Sequence, residues 1–466
     1  MSLAGPSNYK TLRIDKSLVT QGVLAQAVEA SDMDSYDTKT AQLEGKTIRF
    51  DYFESIYSPM ITANTTIVDT GESATDKRDN LATIRDGFPI VGDGTEFVTF
   101  EISNANGTLT SKQPMVVTGA PITLDQAQRQ VLTLPLVSKY SVDTANNPRL
   151  GYYGIGTIDQ AVKKILNEND LPFFDRNIEK SSTNDKIEGR NETPLDLIFH
   201  LSKKTKPIKG APGFFFYETQ EGFNFRSIEG LIEQGIKEYK ESEDIRDLRT
   251  YYYFNNQRQD LGSDQDDYNC VKMPVIKRDQ NLITALKTGV YNVRIQTKNL
   301  LTGVFTDKVV NLLDKDSNYL GNKPSIKVNQ NKNNLNNYCR TYSYILTPGN
   351  LDEGVGNEVT NNPANYEPQA HMRMAMLHSQ IVEIQVPCNI TLMAGHVIKM
   401  IIENVTGGDK SNQRENPHRS GFYLILHLRH HFDPKHSYTT LTLARDTYGL
   451  YTSSKWVHQE THPFQK

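Results

Sequence analysis

Near its C-terminal end the chain runs through four stretches of alternating apolar and polar residues. Ile381 to Val386 sets Val382, Ile384 and Val386 on one face and Glu383 and Gln385 on the other, and Pro387 ends the run. Met393-Ala394-Gly395 reads as a turn, followed by a strand with Ile398, Met400 and Ile402 on one side. Phe422, Leu424, Leu426 and Leu428 alternate with Tyr423, Ile425, His427, Arg429 and His431. Leu441 and Leu443 alternate with Thr440, Thr442 and Arg445. Period-two runs separated by polar loops predict an antiparallel sheet with one packed and one solvated face. Closure into a small barrel is the expected outcome. Leu426 is assigned to the barrel core, and Tyr423, His427, Arg429 and His431 to the polar face.

The first 140 residues carry a similar pattern. Ile48, Phe50 and Tyr52 alternate with Thr47, Arg49 and Asp51. Val98, Phe100 and Ile102 alternate with Phe97, Thr99 and Glu101, and Leu132, Leu134 and Leu136 form a third such run. Pro135 has no N–H to give a ladder, which predicts an edge strand or a bulge there. The two ends resemble each other: Phe97–Ile102 parallels Val397–Ile402, Met115–Thr118 parallels Phe422–Leu428, and Val131–Leu136 parallels Thr440–Leu443. A duplication of one barrel is one reading; chance likeness between alternating strands is the other.

Between them the period changes to that of helices. Thr157-Ile158-Asp159-Gln160 fits a capping box, with Ile158, Val162, Ile165 and Leu166 on one face. Thr193 and Pro194 open a second helix over Leu195, Ile198, Phe199 and Leu201. Phe214–Arg226 reads as a hairpin, and Lys237–Arg249 as a charged, solvated helix or connector. Asn281–Lys287 is a short helix stopped by Gly289. Strands are expected at Tyr251–Phe254, Tyr291–Ile295 and Val304–Val310, an ordered pattern resumes over Tyr338–Leu346, and a helix is expected at His371–His378. Asp69–Gly87, Gly321–Asn337 and Gly349–Tyr366 read as long loops.

A chain of 466 residues exceeds one ordinary core, so two to four domains are expected. The expected class is α+β, mainly β. The 51 basic and 55 acidic residues nearly cancel, which gives no electrostatic mandate for holding nucleic acid. Cys270, Cys339 and Cys388 are far apart and suit unpaired thiols in a reducing compartment. Met1–Lys16 has no apolar signal-peptide core, and no run reaches the length of a membrane span.

Candidate chemistry is sparse. No phosphate loop, nucleophile elbow or zinc-protease helix is present. The cluster His427, Arg429, His430, His431 and His436 lacks acidic or cysteine partners at metal-ligand spacing, and on a strand His430 points away from His427 and His431. Asp266-Asp267 and Glu243-Asp244 are carboxylate pairs of the kind a glycosidase uses, but adjacent acids in loops are usually solvent-facing. No catalytic set, metal or cofactor is expected.

The order of a helix, an alternating strand, the turn at Gly395, a strand, a Phe422–His430 strand ending in His, and then Leu441-Thr442-Leu443 resembles the second barrel of baseplate hub proteins of contractile phage tails. That family includes the T-even-like hub, the late-control gene D proteins and the hub portion of type VI secretion spikes. Phe53–Met60 early in the chain and the helices near Thr157 and Thr193 fit the same layout. The resemblance implies two similar antiparallel tube-like β-barrels with α/β insertions. It divides the chain into a first barrel at 1–140, an insertion at 141–265 with 313–376, a second barrel at 266–312 with 377–450, and a tail at 451–466. It implies a homotrimer whose six barrels form a pseudo-sixfold ring between the tail tube and the central spike. The wedge proteins would surround it, DNA would cross it only in transit, and its place would be the virion baseplate, assembled in the host cytoplasm. In that frame Tyr423, His427, Arg429, His431, Glu383, Gln385, Arg49 and Asp51 are interface or channel-lining residues. The contrasting reading is a secreted or surface carbohydrate-binding or carbohydrate-degrading β-rich protein.

Overall fold

A computed structural model of the chain describes residues 8–16, 39–70, 74–75, 81–82, 90–253, 271–311, 317–322, 340–346, 362–402 and 416–449, less short gaps within those spans. Cys270, Cys339, Asp266-Asp267, the tail 451–466 and most of the loops Gly321–Asn337 and Gly349–Tyr366 lie outside the described residues. Inside the expected loop Asp69–Gly87, Ala74–Thr75 pairs with Leu81–Ala82.

The N-terminal part supplies β1 (Asn8–Lys16), β2 (Thr47–Ser55), β3 (Thr62–Asp69), β4 (Glu96–Asn104), β5 (Met115–Val117) and β6 (Gln130–Ser138). Hydrogen bonding orders them β2-β3-β6-β5-β4-β1, all antiparallel. The middle of the chain contributes α1 (Ile158–Glu168), α2 (Pro194–Lys204), the hairpin β7 (Phe214–Thr219) and β8 (Gly222–Ser227), and α3 (Ile228–Glu241). There follow β9 (Thr250–Tyr253) and β10 (Val275–Arg278). Next come α4 (Leu282–Thr288), β11 (Asn292–Asn299), β12 (Phe305–Asn311), β13 (Arg340–Leu346) and α5 (Glu367–Leu377). The C-terminal strands are β14 (Gln380–Pro387), β15 (Val397–Ile402), β16 (Gly421–Phe432) and β17 (Ser437–Arg445).

The second set of sheet strands is ordered β10-β14-β17-β16-β15-β9. Leaving aside the short flanking strands Lys39–Gln42, Gly107–Thr110 and Ile122–Leu124 of the first half, and numbering the six strands given for each half along the chain, both have the order 2-3-6-5-4-1. Every pairing matches in sense except the last, because β1 runs antiparallel to β4 whereas β9 runs parallel to β15. Chance alternation does not dictate a shared six-strand order, so the likeness of the two ends extends from pattern to topology.

Neither half closes through hydrogen bonds among the described residues, contrary to the expectation of two closed barrels. The outer edge of β2, which would have to meet β1, is instead taken by the C-terminal part of β16, and one continuous sheet runs through both halves. The N-terminal half nevertheless curls. Phe50 on β2 and Phe100 on β4 are separated by three strands in the sheet, yet their ring centroids lie 4.7 Å apart. Leu12, Phe50, Val98, Leu134 and Phe432 share this first core. A second core joins Val382, Ile384, Ile398, Met400, Tyr423, Ile425, Leu441 and Leu443.

Strand β16 corrects the one-face reading. Tyr423 and Ile425 point into the second core, while Phe422, Leu424 and Leu426 pack against α3 through Leu231, Ile232 and Ile236. A bulge between Ile425 and His427 then returns Leu428 to the second core. Both faces of this strand are thus dry for its first six residues, which a period-two count cannot register. A similar shift between Thr47 and Arg49 buries Thr47 and leaves Ile48 43% exposed, the reverse of the sequence expectation. Pro135 lies in the interior strand β6 rather than on an edge. Its carbonyl accepts from the Thr118 N–H on the side where β6 passes between Ile122–Leu124 and β5, so its missing N–H falls in a gap in the ladder.

Helix ends follow local chemistry. Thr193 Oγ1 accepts from the Asp196 N–H at 3.2 Å, and Gly289 caps α4 at φ 72°. Thr157 makes no side-chain cap; the Asp159 carboxylate in the first turn accepts instead from the Ser181 hydroxyl. The charged segment from Lys237 belongs to α3 and the short helix Glu243–Leu248, with Glu243 and Asp244 in that helix's first turn. The apolar start of α3 was not legible as a helix, because it follows the hairpin directly. Strands β11 to β13 form a separate sheet. They share a core with α5 through Val293, Ile295, Met372 and Met376 rather than with the β10–β17 sheet.

Candidate interaction surface

Cross-strand register places seven of the eight predicted site residues on one continuous face of the sheet, within which Asp51 and His431 are themselves buried. Glu383, Thr442, His427 and Ser55 are successive partners across β14, β17, β16 and β2. Gln385, Thr440, Arg429 and Phe53 form the next row, and Tyr438, His431, Asp51 and Asn64 the one after. Arg49 stands two residues from Asp51 on the same side. The face therefore crosses the seam between the two halves. Tyr423 is the exception. It is fully buried, and its hydroxyl donates to the Arg419 carbonyl at 2.6 Å, so it is an interior residue and not a contact or lining residue.

Four of these residues meet at Asp51. Its Oδ1 accepts from Arg429 Nε at 2.9 Å and faces His431 Nδ1 at 2.7 Å, while Oδ2 pairs with Arg49 Nε at 2.5 Å. His431 Nε2 stands 3.5 Å from Asp433 Oδ2, so this ring links two carboxylates. Burial pushes the Asp51 carboxyl up, but the hydrogen bonds from His431 and Arg429 and their charges outweigh it and hold the group below its ordinary value. The cluster is a charge clamp between β2 and β16. Within it one carboxylate is shared by two guanidinium groups and an imidazole.

The remaining candidates are dispersed. Glu383 pairs with Lys277 of β10 at 3.2 Å, and Gln385 is half-buried. His427 is exposed, with its ring 5.4 Å from that of Tyr57. His430 faces the interior, stacked on Tyr52, and burial lowers its pKa to about 3. Cys388 is buried in the first core. Among the described residues, no group of three or more His, Cys, Asp or Glu side chains could hold a metal ion.

Because Asp51 is depressed, the stabilisation it gives is fully present above about pH 4 and is lost as the pH falls through its lower folded value. Asp51→Asn leaves Arg49 and Arg429 without a shared anion. It is expected to cost about 2–3 kcal/mol, discounted for the partial exposure of both arginines. Denaturant unfolding at pH 7 and pH 3 checks this: the deficit relative to wild type should shrink at pH 3.

A second ionisable pair lies where the hairpin β7–β8 meets the first half, and pattern reasoning missed it because Glu54 and Glu218 look like ordinary strand acids. Glu54 is buried, with Tyr52 Oη at 2.9 Å and the N–H groups of Gln220 and Ala394 at 2.8 and 2.9 Å all donating to it. Glu218 accepts from the Ile61 N–H and the Ser138 hydroxyl. Burial raises both carboxyls to about 7, against these hydrogen bonds. A raised folded value contributes stability at low pH that is lost as the pH climbs from about 4.5 through 7. The melting temperature should therefore fall between pH 5.5 and 8, and Glu218→Gln should flatten that slope.

No family model matches the chain, and no curated protein matches it. Several solved structures are similar. A tail protein from Neisseria meningitidis aligns over 95% of this chain and 97% of its own length, at 9% identity and TM-score 0.46. The 43 kDa tail protein of prophage MuSo2 from Shewanella oneidensis aligns over 88% and 97%, at 11% identity and TM-score 0.45. An Escherichia coli component of the type VI secretion system aligns over 87% and 75%, at 11% identity and TM-score 0.41.

Proposed function

We propose that this chain is a structural hub of a contractile tail or related injection machine, acting as a homotrimeric adaptor with no catalytic role. The observation that carries the reading is the 2-3-6-5-4-1 strand order present twice in one chain, with the two copies fused at β2–β16. One chain then contributes two near-equivalent units, and three chains contribute six, which is the arithmetic needed to join a sixfold tube to a threefold spike. Tube, spike and wedge proteins are the proposed partners, and the baseplate is the proposed location.

The sheet has an edge suited to ring closure. Among the described residues β10 pairs only with β14, and its four residues are exposed, with Val275 at 46% and Ile276 at 44%. An exposed strand edge bearing apolar side chains invites pairing with another chain. Pairing this edge with a different patch on the next copy would be a heterologous contact, which closes into a ring when the rotation is right. In the same reading the outward face at Gln385, His427, Arg429 and Arg49 lines the channel. There Asp51 pairs with Arg49 and Arg429, Glu383 with Lys277, and Asp433 stands beside His431, and a lining without net positive charge lets a duplex pass without being held.

Light scattering in solution should give about three times the 52.7 kDa chain mass, and electron microscopy should show a ring with a central hole. The double substitution Val275→Lys with Ile276→Lys should shift the mass to that of the monomer while leaving the circular dichroism unchanged. A wild-type chain that stays monomeric and retains or cleaves polysaccharide would overturn the reading in favour of the carbohydrate-active alternative.

A further inference from the structure

A cavity of about 260 Å³ lies on the far side of the molecule's hairpin layer, bounded by β8, α3, the Ile245 helix and the turn Thr391–His396. Alternation along β8 sends Phe223 and Phe225 into the core beneath α1 and α2, and leaves Asn224 and Arg226 facing the cavity. Two features of the turn are fixed by backbone. Gly395 has φ 86°, and a Cβ there would stand 2.2 Å from the Tyr217 hydroxyl. The turn thus presents His396 to the cavity at a position that a larger neighbour would disturb.

The polar groups around this cavity do not balance. The carboxylates are already engaged: Glu221 with Arg176 at 3.0 Å, and Glu238 with Arg249 at 3.0 Å and with Gln234. Arg226 is the third guanidinium, its Nε is buried, and that atom has no hydrogen-bond partner. His396 Nδ1 accepts from the Met393 N–H at 3.2 Å. A neutral ring bonded this way carries its proton on Nε2, and Nε2 stands 3.3 Å from Arg249 Nη2, which is also a donor. Burial and the charges of Arg249 and Arg226 hold His396 well below its ordinary value, so the ring is neutral when the cavity holds no anion. Glu179 lies close enough to act on the charge of Arg226, so the excess is one of donors: the lining is left with N–H groups that face each other or nothing.

We propose that this cavity binds a small oxyanion of the phosphate class. The anion would accept from Arg226 Nε, from a free N–H of Arg249 and from His396 Nε2. Oxyanion acceptors would resolve the donor-to-donor contact, and a buried guanidinium is the group best matched to them. Bound anion would also favour the charged form of His396. The site joins α3 and the hairpin to the turn before β15, so occupancy would fasten the insertion to the second half. This inference does not depend on the hub reading, since a monomer would carry the same cavity.

The test uses inorganic phosphate and the full-length chain. Titration at pH 7 and constant ionic strength, followed by phosphorus NMR line width and by the His396 imidazole signals, should saturate for wild type and move the His396 titration upward. Arg226→Gln should weaken phosphate binding by about tenfold or more and leave His396 unmoved on adding phosphate. Should that variant fail to fold, Arg226→Lys carries the same comparison, with binding weakened severalfold by loss of the fork. Equal phosphate effects in wild type and variant would mark a general salt effect and overturn the proposal, as would the absence of saturable binding.

Discussion

Arg373→Met is expected to cost about 3–5 kcal/mol, the largest loss from any single polar substitution considered, because it strands two buried carboxylates. Arg373 is fully buried on α5. Its Nε donates to Glu229 at 2.8 Å, its Nη2 pairs with Asp446 at 3.0 Å, and Nη2 also donates to the Asn318 carbonyl at 2.8 Å. Glu229 lies in the first turn of α3 and Asp446 just past β17, so one guanidinium ties three elements that are remote in sequence. Burial alone would lower its pKa, but Glu229 and Asp446 more than offset that and raise it. Methionine has the volume and none of the charge. Glu229 and Asp446 would then remain inside without a counter-ion, or take up protons. The triple change Arg373→Met, Glu229→Gln, Asp446→Asn should recover much of the loss, because no unpaired charge remains. Chemical denaturation of the single and triple variants measures both. A single variant within about 1 kcal/mol of wild type would mean that Arg373 does not hold this junction.

Leu426→Asp is expected to cost several kcal/mol at pH 7 and less at pH 4, where the carboxyl can take up a proton. Leu426 is buried at the bulge of β16 and packs on α3, whose Leu231, Ile232 and Ile236 form the facing layer. The carbonyl of the same residue accepts from the Ile56 N–H at 3.0 Å, which ties the bulge to the end of β2. A carboxylate here would be desolvated with no described partner beside it. Leu426→Ala, which leaves a cavity instead of a charge, should cost about 2–5 kcal/mol with no pH dependence. Thermal and urea unfolding distinguish the two. Equal, pH-independent losses would show that the aspartate escapes to solvent and that β16 and α3 separate easily.

These two sites show where a linear pattern stops being informative. Alternation was enough to locate β14, β15, β16 and β17, the cap at Thr193 and the stop at Gly289, because those depend on residues within a few positions of one another. It was also enough to pair the two ends of the chain as similar strand sets. It misassigned Tyr423, because a bulge and a covering helix make both faces of β16 apolar, and it set Pro135 on an edge or at a bulge where a ladder gap inside the sheet serves the same need. It gave no hint that Arg49, Asp51, Arg429 and His431 would converge, since nearly 380 positions separate Asp51 from its partners on β16.

What the sequence determined by itself is part of the local layer of this protein: the C-terminal strands, the cap at Thr193 and the stop at Gly289. Those follow from side-chain periodicity and from backbone donors that nearby residues cap. Only the tertiary structure decided that the two strand sets share one order and merge at β2–β16, and that buried charges are neutralised across that seam and at Arg373. Strand order and the pairing of buried charges depend on which distant segments become neighbours. The energy of such neighbours comes from desolvation and packing, which no period along the chain encodes.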